Sequence, residues 1–242
     1  MPASTAECSA DSVFLVALAC CLLPEPSPEL RPMDTLGMLE TTGLTPAVAA
    51  LDAMEKAAGI RLLQAEVNDF LGICLKVQGS TDEVALALQA GQELATMLGG
   101  QPVTASINRP DKDAWQVIDV PREHNPLIQQ DVVWIPQFEA TSQSEEESNV
   151  AKHAPDALGL IETQGFTAVF QAIDTACKAA QVEVIGKEKL GGGYVTVVIQ
   201  GDVAAVRAAV DAGQQQVEEL GKLIAAHVIP RPSENVLKLL PS

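Results

Sequence analysis

A phrase of ten residues occurs twice in this chain: Asp34-Thr-Leu-Gly-Met-Leu-Glu-Thr-Thr-Gly43 returns as Asp156-Ala-Leu-Gly-Leu-Ile-Glu-Thr-Gln-Gly165. An offset of about 122 positions then holds residues 34–110 in gapless register with residues 156–232. Asp52 falls on Asp174, Lys56-Ala57-Ala58 on Lys178-Ala179-Ala180, Gln78-Gly79 on Gln200-Gly201, Ala90-Gly91-Gln92 on Ala212-Gly213-Gln214, and Arg109-Pro110 on Arg231-Pro232. Roughly two dozen identities in that window exceed what shared composition supplies. Such a chain is one unit made twice. Each copy is small enough to need a neighbour's surface to bury its apolar faces. Two copies are few for a stacked array, so oligomeric closure into a ring is the expected arrangement.

Within each copy the pattern reads strand, helix, strand, turn, strand, helix, strand. Residues 36–41 alternate apolar and polar as a half-buried strand does, and residues 46–58 carry Ala47, Ala50, Leu51 and Met54 at helical spacing. Residues 61–66 and 73–78 predict a hairpin. A helix over 81–98 follows, capped by Ser80 or Thr81 and stopped near Gly99-Gly100, and then a strand over 103–107. The second copy predicts strands over 182–185, 194–199 and 224–229 and a helix over 203–220. The implied class is α+β: two tandem domains, each an antiparallel sheet covered by helices.

The segments outside the repeat set the domain division: an extension over 1–33, a first domain with a C-terminal tail over 34–136, an acidic linker over 137–155 and a second domain over 156–242. The apolar run at 13–23 follows Glu7 and Asp11 with no Lys or Arg before it, unlike a secretory leader, and is too short to span a bilayer. Pro24, Pro26, Pro28 and Pro32 break any helix after it. It reads as an unstructured tail, as translated sequence upstream of a start at Met33, or as a short docking helix. Residues 115–120 and 132–135 look ordered, whereas 137–153 is rich in Ser and Glu and reads as solvated linker.

Composition removes several function classes. A balance of 15 basic against 32 acidic residues, net charge −17, argues against nucleic acid, whose recognition needs Lys and Arg to displace counterions. Aromatics make up only 3%, and alanine suits closely approaching helices better than a wide ligand cavity. The five cysteines form no CxxC pair or metal-ligand spacing, and Cys74 and Cys177 read as small buried apolar residues. His124, His153 and His227 are scattered, and no nucleophile–base or two-carboxylate set recurs with catalytic spacing. Glu40 with Glu162, and Asp52 with Asp174, recur as structural or exposed carboxylates. No enzymatic activity is expected.

Leu158-Gly-Leu-Ile-Glu-Thr163, Asp174-Thr-Ala-Cys-Lys-Ala-Ala180, Lys189-Leu-Gly-Gly-Gly-Tyr-Val-Thr196 and Ile229-Pro-Arg-Pro232 resemble the shell-protein domain of bacterial microcompartments. The resemblance covers nearly all of the second repeat. The first shares the opening strand, the Lys-Ala-Ala helix end and the Arg-Pro exit, and departs at the glycine loop. It implies a ferredoxin-like variant fold, and two unpermuted copies resemble the tandem members that form trimers imitating hexamers. Those members imply a cytoplasmic shell, a central pore for small metabolites, and hexameric and pentameric shell proteins and encapsulated enzymes as partners. Nucleic acid and membrane are not expected as partners.

The same resemblance places Lys56, Lys178, Arg109 and Arg231 along the tile edge, against the plainer reading of solvated charges near element ends. Gly191, Gly192 and Gly193 correspond to the pore loop, where glycine permits close backbone approach at the axis. Repeat one sets Asp69, Phe70 and Leu71 opposite them, so three Asp69-Phe70 loops would alternate with three glycine loops and repel anions. Phe70 either narrows the pore or folds back into the core. Some tandem members hold an iron–sulfur cluster at the axis through one cysteine per chain. Neither loop here contains cysteine, so no cofactor or metal is expected. A soluble tandem α+β regulatory module binding a small effector between its repeats is the alternative reading.

Overall fold

The computed structural model describes residues 35–68, 71–111, 124–125, 130–135, 155–217 and 220–240. The extension and most of the linker, with residues 115–120, lie outside them. Repeat one runs β1 (Thr35–Thr42), α1 (Leu44–Ala57), β2 (Arg61–Asn68), β3 (Gly72–Gly79), α2 (Thr81–Met97) and β4 (Val103–Asn108). Three short strands follow: β5 (His124–Asn125), β6 (Gln130–Asp131) and β7 (Val133–Trp134). Repeat two runs β8 (Ala157–Gln164), α3 (Phe166–Ala179), β9 (Glu183–Gly191), β10 (Tyr194–Gly201), α4 (Val203–Gln215) and β11 (Lys222–Pro230), and α5 (Glu234–Lys238) closes it. The two larger sheets are antiparallel, ordered β4-β1-β3-β2-β7 and β11-β8-β10-β9, and β5 pairs with β6 apart from them. This is the α+β architecture expected from the alternation of periods.

Local chemistry sets the element ends. Ser80 accepts from the Glu83 backbone N–H while the Glu83 carboxylate receives the Ser80 N–H, a reciprocal cap that starts α2. Asp202 caps α4 through the Ala204 and Ala205 N–H groups. That helix is shorter than its periodicity suggests, because after Gln215 the chain tightens into bonds from Gln216 N to the Gly213 carbonyl and Val217 N to the Gln214 carbonyl. Close helix packing needs glycine at one matched pair of positions. A Cβ on Gly91 would stand 2.7 Å from Met54 Cγ, and one on Gly213 2.9 Å from the Ala172 carbonyl oxygen.

Strand alternation gives each sheet a helix-covered face and an outer face. On β8, Ala157 and Ile161 point into the second repeat's own core with Ala172, Val197 and Val206. Leu158 and Leu160 point the other way. There they join Val198, Ile229 and Val236 in one cluster with Leu44, Ala47 and Val48 on α1 of repeat one. The outer face of sheet two is thus buried by a helix of the other repeat, and this cluster, separate from the second repeat's own core, runs across both repeats.

Polar groups fix the register of this junction. Glu162, fully buried on β8, accepts from the backbone N–H of Leu44 at 2.9 Å and of Thr45 at 2.8 Å, at the start of α1. That helix has no side-chain cap of its own, since its N-cap is Gly43, so a carboxylate from the other repeat satisfies its first amides and faces its positive end. Burial pushes the Glu162 carboxyl above the usual range, opposed by the Thr45 and Leu44 N–H groups and the Thr196 hydroxyl. Lys56 Nζ binds Asp52 at 2.6 Å and the Pro230 carbonyl at 2.9 Å. Glu55 accepts from Ser233 Oγ and Asn235 Nδ2.

Two expectations follow for the junction. Glu162→Ala leaves two buried helix amides unmet and lowers the free energy of unfolding by about 2 kcal/mol, read as a lower urea midpoint. His227 on β11 has its pKa lowered, first by burial, with Asp52 raising it and Lys56 lowering it further. A group with a depressed folded pKa that is neutral when deprotonated contributes stability in full above its ordinary value of 6.5, and loses it as pH falls toward the folded value. Stability therefore declines as pH falls below 6.5, and His227→Gln flattens that decline in denaturation curves taken from neutral into mildly acid pH.

Candidate functional site

Two loops and four basic residues are the candidates, and the fold brings the loops together. Leu71 ends the β2–β3 loop with φ 61°, and Gly191, Gly192 and Gly193 form the β9–β10 loop with φ 89°, 54° and 85°. Asp69 and Phe70 lie outside the described residues. The two loops are anchored alike. Gly43 N donates to the Leu71 carbonyl at 2.8 Å, and Gly165 N donates to the Gly193 carbonyl at 2.9 Å, at matched positions of the repeat. Leu71 therefore holds a left-handed conformation that glycine adopts freely and that costs a branched side chain about 1–2 kcal/mol. Its side chain abuts the partner loop, since a Cβ on Gly192 would stand 2.7 Å from Leu71 Cδ2. Only glycine fits there without displacing the leucine. Gln164 Nε2 donates to the Gly192 carbonyl at 3.3 Å and braces the same loop.

The basic residues separate into a joined set and an unjoined set. All four are exposed. Lys56 reaches across the junction to the carbonyl of Pro230, the residue before Arg231, so a lysine of repeat one stands beside the Arg-Pro exit of repeat two. Lys178 binds Asp174 at 2.6 Å, as Lys56 binds Asp52. Lys178 has no bond to the Asn108 carbonyl, the counterpart of Pro230, among the described residues. Arg109 and Arg231 share a left-handed backbone, with φ 53° and 49°, so the two exits are built alike.

One cysteine expectation is corrected. Cys74 is half-buried on β3, and burial pushes its thiol up to about 11, against the Lys76 charge beside it. Cys177 is exposed on α3 rather than buried. It takes the place of Glu55, whose face on α1 is covered by the Ser233 and Asn235 segment, and among the described residues nothing comparable covers α3. The carboxylate Glu162 is structural and hydrogen-bonding, as its recurrence implies, while the sequence does not show that its partners lie on the other repeat. Its recurrence directly before Thr-x-Gly was the available signal.

Comparison with known proteins places these observations in a family. The BMC domain matches residues 35–110 and again 157–232. Over 86 residues the chain is 50% identical to the bacterial microcompartment shell protein PduA of Citrobacter freundii, covering 36% of this chain and 92% of that one. It is 44% identical, also over 86 residues, to the bacterial microcompartment shell protein EutM of Escherichia coli, covering 36% and 89%. Similarity to the carboxysome assembly protein CcmO of Synechococcus elongatus extends over both repeats: 32% identity over 212 residues, 87% of this chain and 70% of that protein. The chain belongs to the BMC domain family, as a member that carries the domain twice.

Proposed function

We propose that this protein is a structural component of a bacterial microcompartment shell, in the cytoplasm, acting as a trimer of two-domain chains around a central pore. The observation that carries this reading is the junction between the repeats. It is head-to-tail: the outer sheet face of repeat two receives α1 of repeat one, and among the described residues the matching β4 edge of sheet one, with Glu40, Val103 and Ile107, and the Phe166 and Phe170 face of α3 are left exposed. A contact of that kind with a rotation of about 60° per unit closes after six units, hence three chains. The role is architectural, with hexameric and pentameric shell proteins as tiling partners and enclosed enzymes behind them. The apolar cavity beside the junction, lined by Leu44, Val48, Trp134 and Leu239 among others, holds about 10 Å³ and has no room for an effector. Sedimentation should give three times the 25.5 kDa chain mass and electron microscopy six-lobed plates; a monomer under all conditions refutes the ring.

In this ring the Asp69-Phe70-Leu71 loop and the glycine loop alternate around the axis. Their contact through Leu71 and Gly192 supports that placement. Three Asp69 carboxylates near one axis disfavour anions relative to a ring of glycine loops, and Phe70 narrows the opening. Phe70→Gly is expected to increase leakage of small metabolites from assembled shells, and unchanged leakage excludes Phe70 as the constriction.

Lys178 and Lys56, with Arg109 and Arg231, form the rim where one tile meets the next. Because Lys56 also ties the two repeats together, its loss perturbs the chain itself, and Lys178 is the cleaner probe. Lys178→Asp should leave the trimer intact by sedimentation and abolish extended sheets in electron micrographs; adding Lys56→Asp should leave sheets equally absent. Normal tiling by the double variant removes the rim assignment.

A further inference from the structure

The two copies of the repeat are alike in sequence and opposite in what covers them. Leu44 and Val48 on α1 are 4% and 1% exposed, whereas their counterparts on α3, Phe166 and Phe170, are 43% and 52% exposed. Ala225 and Ile229 on β11 are 6% and 1% exposed, whereas Val103 and Ile107 on β4 are 66% and 40% exposed. Among the described residues, four of the eight exposed large apolar side chains are these. They sit on the two surfaces that mirror the filled junction, and a second copy of this chain is the occupant that fits both.

The polar chemistry points the same way. Glu40 is the counterpart of Glu162, but it is exposed, and Asn68 Nδ2 holds its carboxylate at 2.6 Å. Leu190 occupies the matching position in repeat two, so Glu162 has no such amide beside it. At the other end, α3 starts at Gly165 with no side-chain cap, like α1 before Glu162 reaches it. The α3 face is also cationic. Lys189 Nζ stands 5.4 Å from the Phe166 ring centre and Lys187 Nζ 5.4 Å from that of Phe170, where repeat one has Ala65 and Val67.

Resting on the ring reading, we infer that Glu40 latches the seam between chains: its carboxylate accepts from the Phe166 and Thr167 N–H groups of a second copy while Phe166 and Phe170 cover Val103 and Ile107. The two kinds of seam in the ring then share geometry and differ in chemistry. The one within the chain is aliphatic with a buried carboxylate. The one between chains is aromatic, flanked by Lys187 and Lys189, and carries a carboxylate held on Asn68 until the partner arrives. Such a seam is weakened by salt more than the junction inside the chain.

Sedimentation velocity over a dilution series tests this with the full chain, using Glu40→Ala, Glu40→Gln and Phe170→Glu. Glu40→Ala should raise the concentration at which trimers dissociate at least tenfold, and Glu40→Gln, which keeps one acceptor oxygen, should raise it less. Circular dichroism melts of the dissociated chain should stay as in the unaltered protein, because Glu40 is exposed there. A Glu40→Cys, Thr167→Cys chain should form disulfides between chains under oxidation. If Phe170→Glu dissociates the trimer while Glu40→Ala leaves dissociation unchanged, the ring stands and the latch falls. If the unaltered chain is monomeric throughout, or Phe170→Glu leaves the trimer whole, the ring itself falls.

Discussion

A carboxylate that crosses from one repeat to the other holds this architecture in register. Glu162 is fully buried and accepts two backbone amides at the head of α1, where Gly43 supplies no cap. A buried carboxylate without partners would be expensive, and a helix head without acceptors would leave its first amides unmet. Each defect removes the other only when the two repeats stand in one relative position. The apolar contacts around it, Leu158 and Leu160 against Leu44 and Val48, supply more of the burial, yet they would tolerate some sliding. The hydrogen bonds would not.

This arrangement makes each domain incomplete by construction. Sheet two has helices on one face and a borrowed helix on the other, so its outer strand positions are aliphatic: Leu158, Leu160 and Val198. Sheet one carries Gln64, Glu66 and Lys76 on its outer face, with Lys76 Nζ bonded to Gln64 Oε1 and Glu66 Oε2 at 2.7 Å each, beside exposed Val103 and Ile107. Gln64 and Lys76 are themselves 3% and 7% exposed, so the part of this face left open in the single chain is the β4 edge beside Glu40. Gene duplication freed the copies to divide these tasks, and the glycine loop kept in repeat two and replaced by Asp69, Phe70 and Leu71 in repeat one follows the same division.

Element existence was legible because period and punctuation agreed: the alternation of 36–41, the capping residue Ser80, and Gly99-Gly100 after α2. Boundaries moved where a cross-repeat contact took over. Helix α1 starts at Leu44 rather than near Pro46, because its first amides find an acceptor on Glu162 that no local pattern announces. Cys177 was misread for a related reason. Its apolar character and helical spacing suit a core position, but burial at that place in repeat one comes from the C-terminal segment of the other repeat, which a single chain can supply only once.

What the amino-acid order alone determined is the duplicated unit, its alternation of strands and helices, and the positions of the glycine loop and the Lys and Arg pairs, because these depend on local periodicity and on identity at a constant offset. What only the tertiary structure decided is which copies of equivalent residues are satisfied. Glu162 and Glu40, Leu44 and Phe166, Lys56 and Lys178 occupy matched positions in the sequence, and only the first of each pair makes its contact with the other repeat within the chain. The reason is directional: a head-to-tail contact between two units fills one head and one tail, and leaves the other head and tail open.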